Sequence, residues 1–503
     1  LARARLLLLA VLASTPSARA QDAPGPFALS EWRVPGRAIE AFVARDEAGR
    51  ERVLVISVVD SAPREKRYVS WLPGDGSRAT QAVEIPAAAA VVDAAELGLA
   101  PGPELVWLSA SELQIVSAAG ETLRSERLDP PLPLPPRTWE LAHAELVQDW
   151  DADGRPEAFL PGAAAARLHP LVSGDAAQSL ALPLIADYGS PSLDNWFRPG
   201  LLWSLVSWPM LALADDDGDG RRDLYAANRF ELLVFRAGPG GLAESPSTRR
   251  GFPPFTPEEE RRHTGTTLLA FARDLDGDGR ADLITHRVVG NLLRSHAVTT
   301  VHANRGDGPD PRGEPWTRIE SKGGTSVVEL ADLDGDGRVE LLEAYIPFGV
   351  VQAVRMLTLG RLETRLRVLA LPREAGAAPV ETWRAEVSFP FDFETSRVLG
   401  VMPYTKADWN ADGILDLCWA DGSGKLRFRL GEARAAGPGY GAVAASLELP
   451  VSGDLVSADL DGDGLPDFVA HDPLDLEGRV RIGINRGALP GTRPGIRALP
   501  SAR

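Results

Sequence analysis

The sequence predicts an all-β chain folded as a β-propeller, with eight blades counted from its repeats, or seven if the unit around Asp46 is not a full sheet. Three observations carry that expectation. A nine-residue acidic pattern occurs six times, a strand-like apolar run follows each copy, and 49 Gly and 41 Pro among 503 residues imply many tight turns between short elements.

The copies are DWDADGRPE from Asp149, DDDGDGRRD from Asp215, DLDGDGRAD from Asp274, DLDGDGRVE from Asp332, DWNADGILD from Asp408 and DLDGDGLPD from Asp459. Their starts lie roughly 50 to 75 residues apart, a period suited to one propeller blade with insertions. Each blade reads as four short strands, A to D, with the acidic loop between A and B.

The spacing describes a cation site. Side chains at positions 1, 3 and 5 of a curled loop converge on one point, the carbonyl of position 7 joins them, and a carboxylate at position 9 closes the far side. The candidate ligands are therefore Asp149, Asp151, Asp153, Arg155 and Glu157 in the first copy, and Asp215, Asp217, Asp219, Arg221 and Asp223 in the second. The third supplies Asp274, Asp276, Asp278, Arg280 and Asp282, and the fourth Asp332, Asp334, Asp336, Arg338 and Glu340. The last two supply Asp408, Asn410, Asp412, Ile414 and Asp416, and Asp459, Asp461, Asp463, Leu465 and Asp467.

Hard oxygens in that number suit Ca²⁺, giving about six sites, whereas Mg²⁺ favours fewer protein ligands and strict octahedral geometry. Glycine at position 6 allows the sharp turn. Left without a cation, the carboxylates of one loop would repel by about 1 kcal/mol per pair even in water. These positions hold 23 of the 70 acidic residues, so much of the formal charge of −17 belongs to specific loops, and that charge argues against a nucleic-acid partner. An EF-hand would need Glu at position 12 and flanking helices. Position 12 is Leu160, Ala226, Thr285, Glu343, Trp419 and Ala470, and the runs that follow, such as DLYAAN, DLITHRV and DFVAH, are strand-like.

A strand, a DxDGDGxxDL loop and a second strand, repeated along the chain, resembles the FG-GAP or VCBS repeat family, whose best-known members are the integrin α-subunit propellers. The resemblance covers nearly the whole mature chain and implies a propeller with calcium in its A–B loops. The FG and GAP flanks are poorly kept, so integrin-like partner binding is not implied.

Two further units lie upstream without intact ligands. AAAVVDAAELGLAPGPELVWLS places Asp93 at the first position and Glu104 before an apolar run, and AFVARDEAGRERVLVISV has Asp46 before a glycine turn. The N-terminal FALSEWRVP, about 27–34, is expected to pair with the final blade and leave no open edge. Up-and-down connectivity then puts A–B and C–D loops on one face. The long insertions at 183–209 (D–A), 287–296 and 346–365 (both B–C) fall on the other, which becomes the candidate recognition surface. The aromatic residues Tyr188, Trp196, Phe197, Trp203 and Trp208 of the first insertion would bind a sugar or protein, or pack over the central channel, and packing is the favoured reading.

Arg3 and Arg5, the run LLLLAVLA and Ala18-x-Ala20 read as a signal peptide over residues 1–20, leaving 21–503 as one propeller domain exported to the periplasm or the extracellular space. No later stretch resembles a membrane span. The single Cys418 reads as a buried small hydrophobe. No HExxH, GxSxG, Walker-type or dinucleotide-binding motif is present, and His286, His296 and His302 read as structural or exposed. The expected function is a non-enzymatic module binding an extracellular protein or glycan. The alternative is a polysaccharide lyase or lectin-like propeller, for which Arg294, His296 and His302 could serve.

Overall fold

The computed structural model of the chain describes residues 25–60, 65–72, 81–134, 141–189, 203–254, 267–289, 296–322, 324–347, 350–394, 397–450 and 452–492. Residues 1–20, where a signal peptide is expected, and Trp196, Phe197 and Arg294 lie outside them.

The apolar runs after the acidic loops become strand B of their blades, and several are buried at every position: Glu157–Leu160, Asp223–Ala227, Asp416–Ala420 and Asp467–His471. Burial on both faces explains why these runs do not alternate, since each sheet is covered by a neighbour on either side. Outer strands are more polar, and Thr122–Arg127 has no buried position.

Eight antiparallel sheets follow in chain order. Blade 1 is Arg37–Arg45, Glu51–Val59, Lys66–Leu72 and Gln81–Ile85, a complete four-stranded sheet, so the count is eight and not seven. Blade 2 is Val91–Ala95, Glu104–Leu108, Glu112–Val116 and Thr122–Arg127, with Ala142–His143 added parallel to its strand A. Blade 3 is Val147–Gln148, Glu157–Leu160, Ala166–Pro170 and Gln178–Leu180, and blade 4 is Met210–Ala214, Asp223–Ala227, Glu231–Phe235 and Thr248–Gly251. Blade 5 is Thr267–Arg273, Asp282–Val289, His296–His302 and Thr317–Lys322. Blade 6 is Gly324–Ala331, Glu340–Ile346, Arg361–Ala370 and Val380–Asp392, extended by Arg397–Val398. Blade 7 is Val401–Ala407, Asp416–Ala420, Lys425–Glu432 and Gly439–Glu448.

Blade 8 is built from both ends of the chain. Asp454–Ala458, Asp467–His471 and Arg479–Asn485 are completed by Phe27–Arg33, whose register runs from Phe27 opposite Asn485 to Arg33 opposite Arg479. The side chain of Phe27 enters the core between blades 7 and 8, with its ring 5.0 Å from Phe428, 5.2 Å from Phe468 and 5.8 Å from Trp409.

The core is a ring of eight clusters among the described residues, each lying between two consecutive sheets. Val53 and Val55 of blade 1 meet Val469 and Val480 of blade 8, which closes the circle. Such an arrangement covers both faces of each sheet with its neighbours and leaves only short edges at the inner and outer strands.

The long connections lie where the topology put them. The D–A insertion contains a hairpin, Ile185–Gly189 with Trp203–Ser207, and the B–C connection of blade 6 contains the helix Val350–Leu359. That helix turns Val351, Val354, Leu357 and Leu359 to solvent. Trp208 packs beside the cores of blades 2 to 4, 5.8 Å from the Phe159 ring, so for this residue packing is what the structure shows. No helix among the described residues is long and apolar enough to cross a membrane.

Candidate metal centres

All six acidic loops join strands A and B, and one hydrogen-bond scheme curls them. The position 1 carboxylate accepts the N–H of position 6, as from Gly220 to Asp215 at 2.8 Å and from Gly413 to Asp408 at 2.8 Å. Position 5 accepts the N–H of position 7, as from Arg280 to Asp278 at 2.9 Å. Position 9 accepts the N–H of position 2, at 3.0 Å from Trp150 to Glu157 and 2.7 Å from Trp409 to Asp416.

The backbone is left-handed at two points in each loop. Position 6 is glycine throughout, with φ of 84° to 94° in Gly154, Gly220, Gly279, Gly337, Gly413 and Gly464. Position 4 also has positive φ and is glycine in four loops. In the others it is Ala152 (φ 61°) and Ala411 (φ 51°), the only non-glycine residues of positive φ among those described. A methyl group in this region costs about 1–2 kcal/mol, partly offset by the extra chain entropy of glycine. Ala152→Gly should therefore stabilise the fold by roughly 0.5–1 kcal/mol, read as a higher urea midpoint; a lower midpoint would contradict this account of the turn.

This curl brings acidic oxygens together in five loops. One oxygen from each of Asp149, Asp151 and Glu157 lies within 4.8 Å of the others, and the same holds for Asp215, Asp217 and Asp223; Asp274, Asp276 and Asp282; Asp332, Asp334 and Asp336; and Asp459, Asp461 and Asp467. Of the position 5 carboxylates only Asp336 joins such a group; Asp153, Asp219, Asp278 and Asp463 do not, nor does Glu340 at position 9. In the remaining loop Asp408, Asp412 and Asp416 do not converge this closely. There the Asn410 amide donates to Asp412 (2.9 Å) and to the Pro490 carbonyl (3.2 Å).

Three carboxylate oxygens, Asp149 Oδ1, Asp217 Oδ1 and Asp334 Oδ1, are buried and accept no hydrogen bond. Leaving such atoms unsatisfied is costly, and a hard cation would satisfy them. The donor set therefore fits calcium.

Position 9 has a second role that spacing did not reveal. Its other oxygen accepts a backbone N–H from the end of strand C: Ala237 to Asp223 (2.7 Å), Asn304 to Asp282 (2.8 Å), Gly431 to Asp416 (2.7 Å) and Asn485 to Asp467 (2.7 Å). The residue thus fastens the loop to its sheet. Burial, reinforced by the loop aspartates and opposed by these hydrogen bonds, pushes Glu157 up to about 8 and Asp282, Glu340 and Asp467 to about 7, with Asp416 well above its ordinary value.

The sign of the pH effect follows. These carboxyls bind protons more tightly in the folded, metal-free protein than in the unfolded chain, where their pKa is about 4. Their ionisation therefore penalises the metal-free fold progressively as pH rises through the interval up to about 7–8. Calcium needs the ionised form. The rise in melting temperature on adding calcium to chelated protein should grow between pH 6 and pH 8.5; a constant increment would contradict it.

Neighbouring loops are joined. The Ala281 N–H donates to Asp215 O (2.7 Å), and Leu415 N–H to Leu333 O (2.8 Å). Asn304 and Asn485 tie their own position 9 residue to the preceding blade, through Nδ2 to Asp216 O and Trp409 O, both at 2.8 Å. These asparagines were not singled out from sequence, although both open an Asn-Arg-Gly turn after strand C. In the same interface Asp216, fully buried at position 2, pairs with Arg236 (2.9 Å) and accepts from Tyr225 Oη (2.6 Å).

The two upstream units differ from the reading of their sequence in one respect. In blade 2 Asp93 is not the first loop residue: it lies in strand A, where its Oδ2 accepts the N–H groups of Leu146 and Val147 at 2.8 Å. Glu104 occupies position 9, receiving the N–H of Leu97 at 2.8 Å, so position 1 falls on Glu96, and positions 3 and 5 are Gly98 and Ala100. In blade 1 the loop has shrunk to five residues, and Arg50 (2.8 Å) and Arg52 (3.8 Å) pair with Asp46. A guanidinium supplies there the positive charge that a cation would supply elsewhere.

His286, His296 and His302, the local group in the sequence, have separate surroundings. His286 Nδ1 lies 2.8 Å from Thr299 Oγ1, His302 Nε2 lies 3.1 Å from Thr300 Oγ1, and His296 is exposed at the start of its strand. His302 borders a cleft of about 300 Å³ with Arg250 and Arg305, but Asp307, Asp310 and Glu314 line it too and would repel a polyanionic substrate. Cys418 is fully buried in strand B of blade 7.

Eight sheets in a ring with acidic A–B loops on one face define a repeat-built β-propeller of the kind that carries cation loops. The family model of FG-GAP-like repeats matches residues 274–343 and 408–489, so blades 5 to 8 are built in part from FG-GAP-like repeats. No curated protein matches it. Among solved structures it is similar to BBS1N in complex with ARL6DN (9% identity, 92% of this chain and 97% of that one, TM-score 0.39). It is similar also to an Agrocybe aegerita lectin described as recognising non-reducing terminal N-acetylglucosamine (13% identity, 93% and 88%, TM-score 0.38) and to the V. cholerae biofilm matrix protein Bap1 (12% identity, 92% and 94%, TM-score 0.33).

Proposed function

We propose that the protein is an exported, calcium-stabilised β-propeller that works as a binding or scaffold module for an extracellular protein or glycan, and not as an enzyme. The observation that carries the calcium assignment is the convergence of carboxylates in five A–B loops, three of them holding a buried oxygen with no hydrogen-bond partner. Positions 1 and 3 would hold the ion together with position 9, or with position 5 in the loop of Asp332, and the carbonyl of position 7 would complete the site while position 9 anchors the loop. Calcium supplies charge neutralisation and cross-linking of the loop, and, by binding the folded form only, stability by mass action.

Export rests on the charged, apolar and Ala18-x-Ala20 pattern of residues 1–20. Binding is assigned to the face away from the acidic loops, which carries the helix Val350–Leu359 and the paired strands Ile185–Gly189 and Trp203–Ser207. The buried, hydroxyl-bonded state of His286 and His302 favours a binder over a lyase. A glycan and surface-protein array, probed with the mature chain in calcium, should show retention of a defined ligand. Incubation with acidic polysaccharides should release no unsaturated product; release of such a product would overturn the non-enzymatic reading.

A further inference from the structure

The groove between blades 6 and 7 gathers three arginines along its length. It is a cleft of about 180 Å³ walled by strands C and D of blade 6 and strands B, C and D of blade 7. Arg361 opens strand C of blade 6, and its Nε and Nη2 are fixed by Ser388, on Oγ at 2.9 Å and on the carbonyl at 2.7 Å. Arg427 pairs with Asp421 at 3.0 Å, while its Nε is buried without a hydrogen-bond partner. Arg429 donates to the Gly441 carbonyl at 3.2 Å and lies over two indoles, 5.6 Å from the Trp419 centroid and 5.8 Å from Trp383.

The charges in this cleft do not cancel. Two carboxylates face three arginines: Asp421 pairs with Arg427 and also lies in the field of Arg361, and Glu386 is drawn out to Arg365 at 2.9 Å. Among the described residues, no carboxylate stands within the 4.0 Å ion-pair distance of Arg361 or Arg429. A positive cleft is unexpected on a chain of net charge −17. Burial also pulls the Arg429 pKa below its ordinary value by desolvation, a cost that an incoming anion would offset.

We propose that this cleft is a subsite for an anionic group, a carboxylate or a sulfate, borne by the ligand of the binding module described above, and it rests on that reading. Two guanidinium planes held in place, one by Ser388 and one by stacked indoles, present forked donors to a planar or tetrahedral anion with little side-chain entropy left to lose. Arg361 and Asp421, at the B–C ends of their blades, border the cleft, so a ligand held by the B–C connections can place a charged substituent beside them.

The test uses the mature chain in calcium, titrated at constant ionic strength with sodium glucuronate, with sodium sulfate, and with glucose as the neutral control. Glucuronate or sulfate should bind and glucose should not, and the two anions distinguish which group the cleft takes. Arg429→Met and Arg361→Gln should each weaken binding about tenfold or more, and Asp421→Asn, which frees Arg427, should tighten it. If Arg429→Met fails to fold, the other two variants decide. Absence of anion binding to calcium-loaded protein, or binding indifferent to Arg361→Gln and Asp421→Asn, overturns the subsite and leaves the calcium module standing. Anion binding that persists in a protein unable to bind calcium upholds the subsite and overturns the module's metal assignment.

Discussion

Chelation should lower the melting temperature by about 7–8 °C. At 1 mM free calcium, a loop of Kd about 0.1 mM contributes roughly 1.4 kcal/mol by mass action. Five or six such loops contribute about 7–8 kcal/mol in total. With an unfolding entropy of about 2.1 cal/mol/K per residue, a chain of 503 residues has about 1 kcal/mol/K, which converts that energy into the stated shift. The comparison is a melt in 1 mM calcium against one in excess EDTA. Equimolar magnesium should recover little of the loss, because Mg²⁺ demands a tighter octahedral shell than these loops offer. An unchanged melt would show that the carboxylates hold no stabilising ion.

The second large effect separates two aspartates of one loop. Asp282→Asn should destabilise the protein by about 2–3 kcal/mol whether or not calcium is present. Both oxygens of Asp282 accept backbone N–H groups, from Leu275 at 3.1 Å and Asn304 at 2.8 Å, and the amide would set an NH₂ against one of them. Asp276→Asn should behave otherwise. Asp276 accepts from Asp278 N (3.2 Å) and pairs with Arg305 (3.1 Å), whose side chain is well exposed, so the pair is worth about 0–1 kcal/mol. Removing its charge also relieves repulsion of similar size. The metal-free melt should hardly move, while the calcium-dependent increment shrinks and one ion is lost. Equal destabilisation of both variants in EDTA would mean that position 3 is structural too.

The architecture was legible because the acidic nonapeptide marks the turn between the two innermost strands of each blade, and the apolar run behind it can only be a strand covered on both sides. That signal located six blades outright and the other two through vestiges such as Glu104 and Asp46. It misplaced the frame in blade 2, where only the position 9 anchor persists and Asp93 has been taken into strand A to hold the entry of blade 3. Ligand spacing also concealed what position 9 does without a metal, because its partners are backbone N–H groups, and backbone leaves no trace in residue type. The same holds for the second left-handed residue at position 4. Asn304 and Asn485 went unnoticed since each acts across a blade boundary, at a distance in sequence that no local pattern reports. The arginine cleft is assembled from strands of two blades and exists only once the sheets are docked.

Equilibrium dialysis of residues 21–503 against calcium, at pH 8 and physiological ionic strength, bears most directly on the acidic loops. Five to six ions bound per chain, falling by one in Asp276→Asn, is the expected result. A count near zero at millimolar free calcium would contradict the assignment of these loops as metal centres.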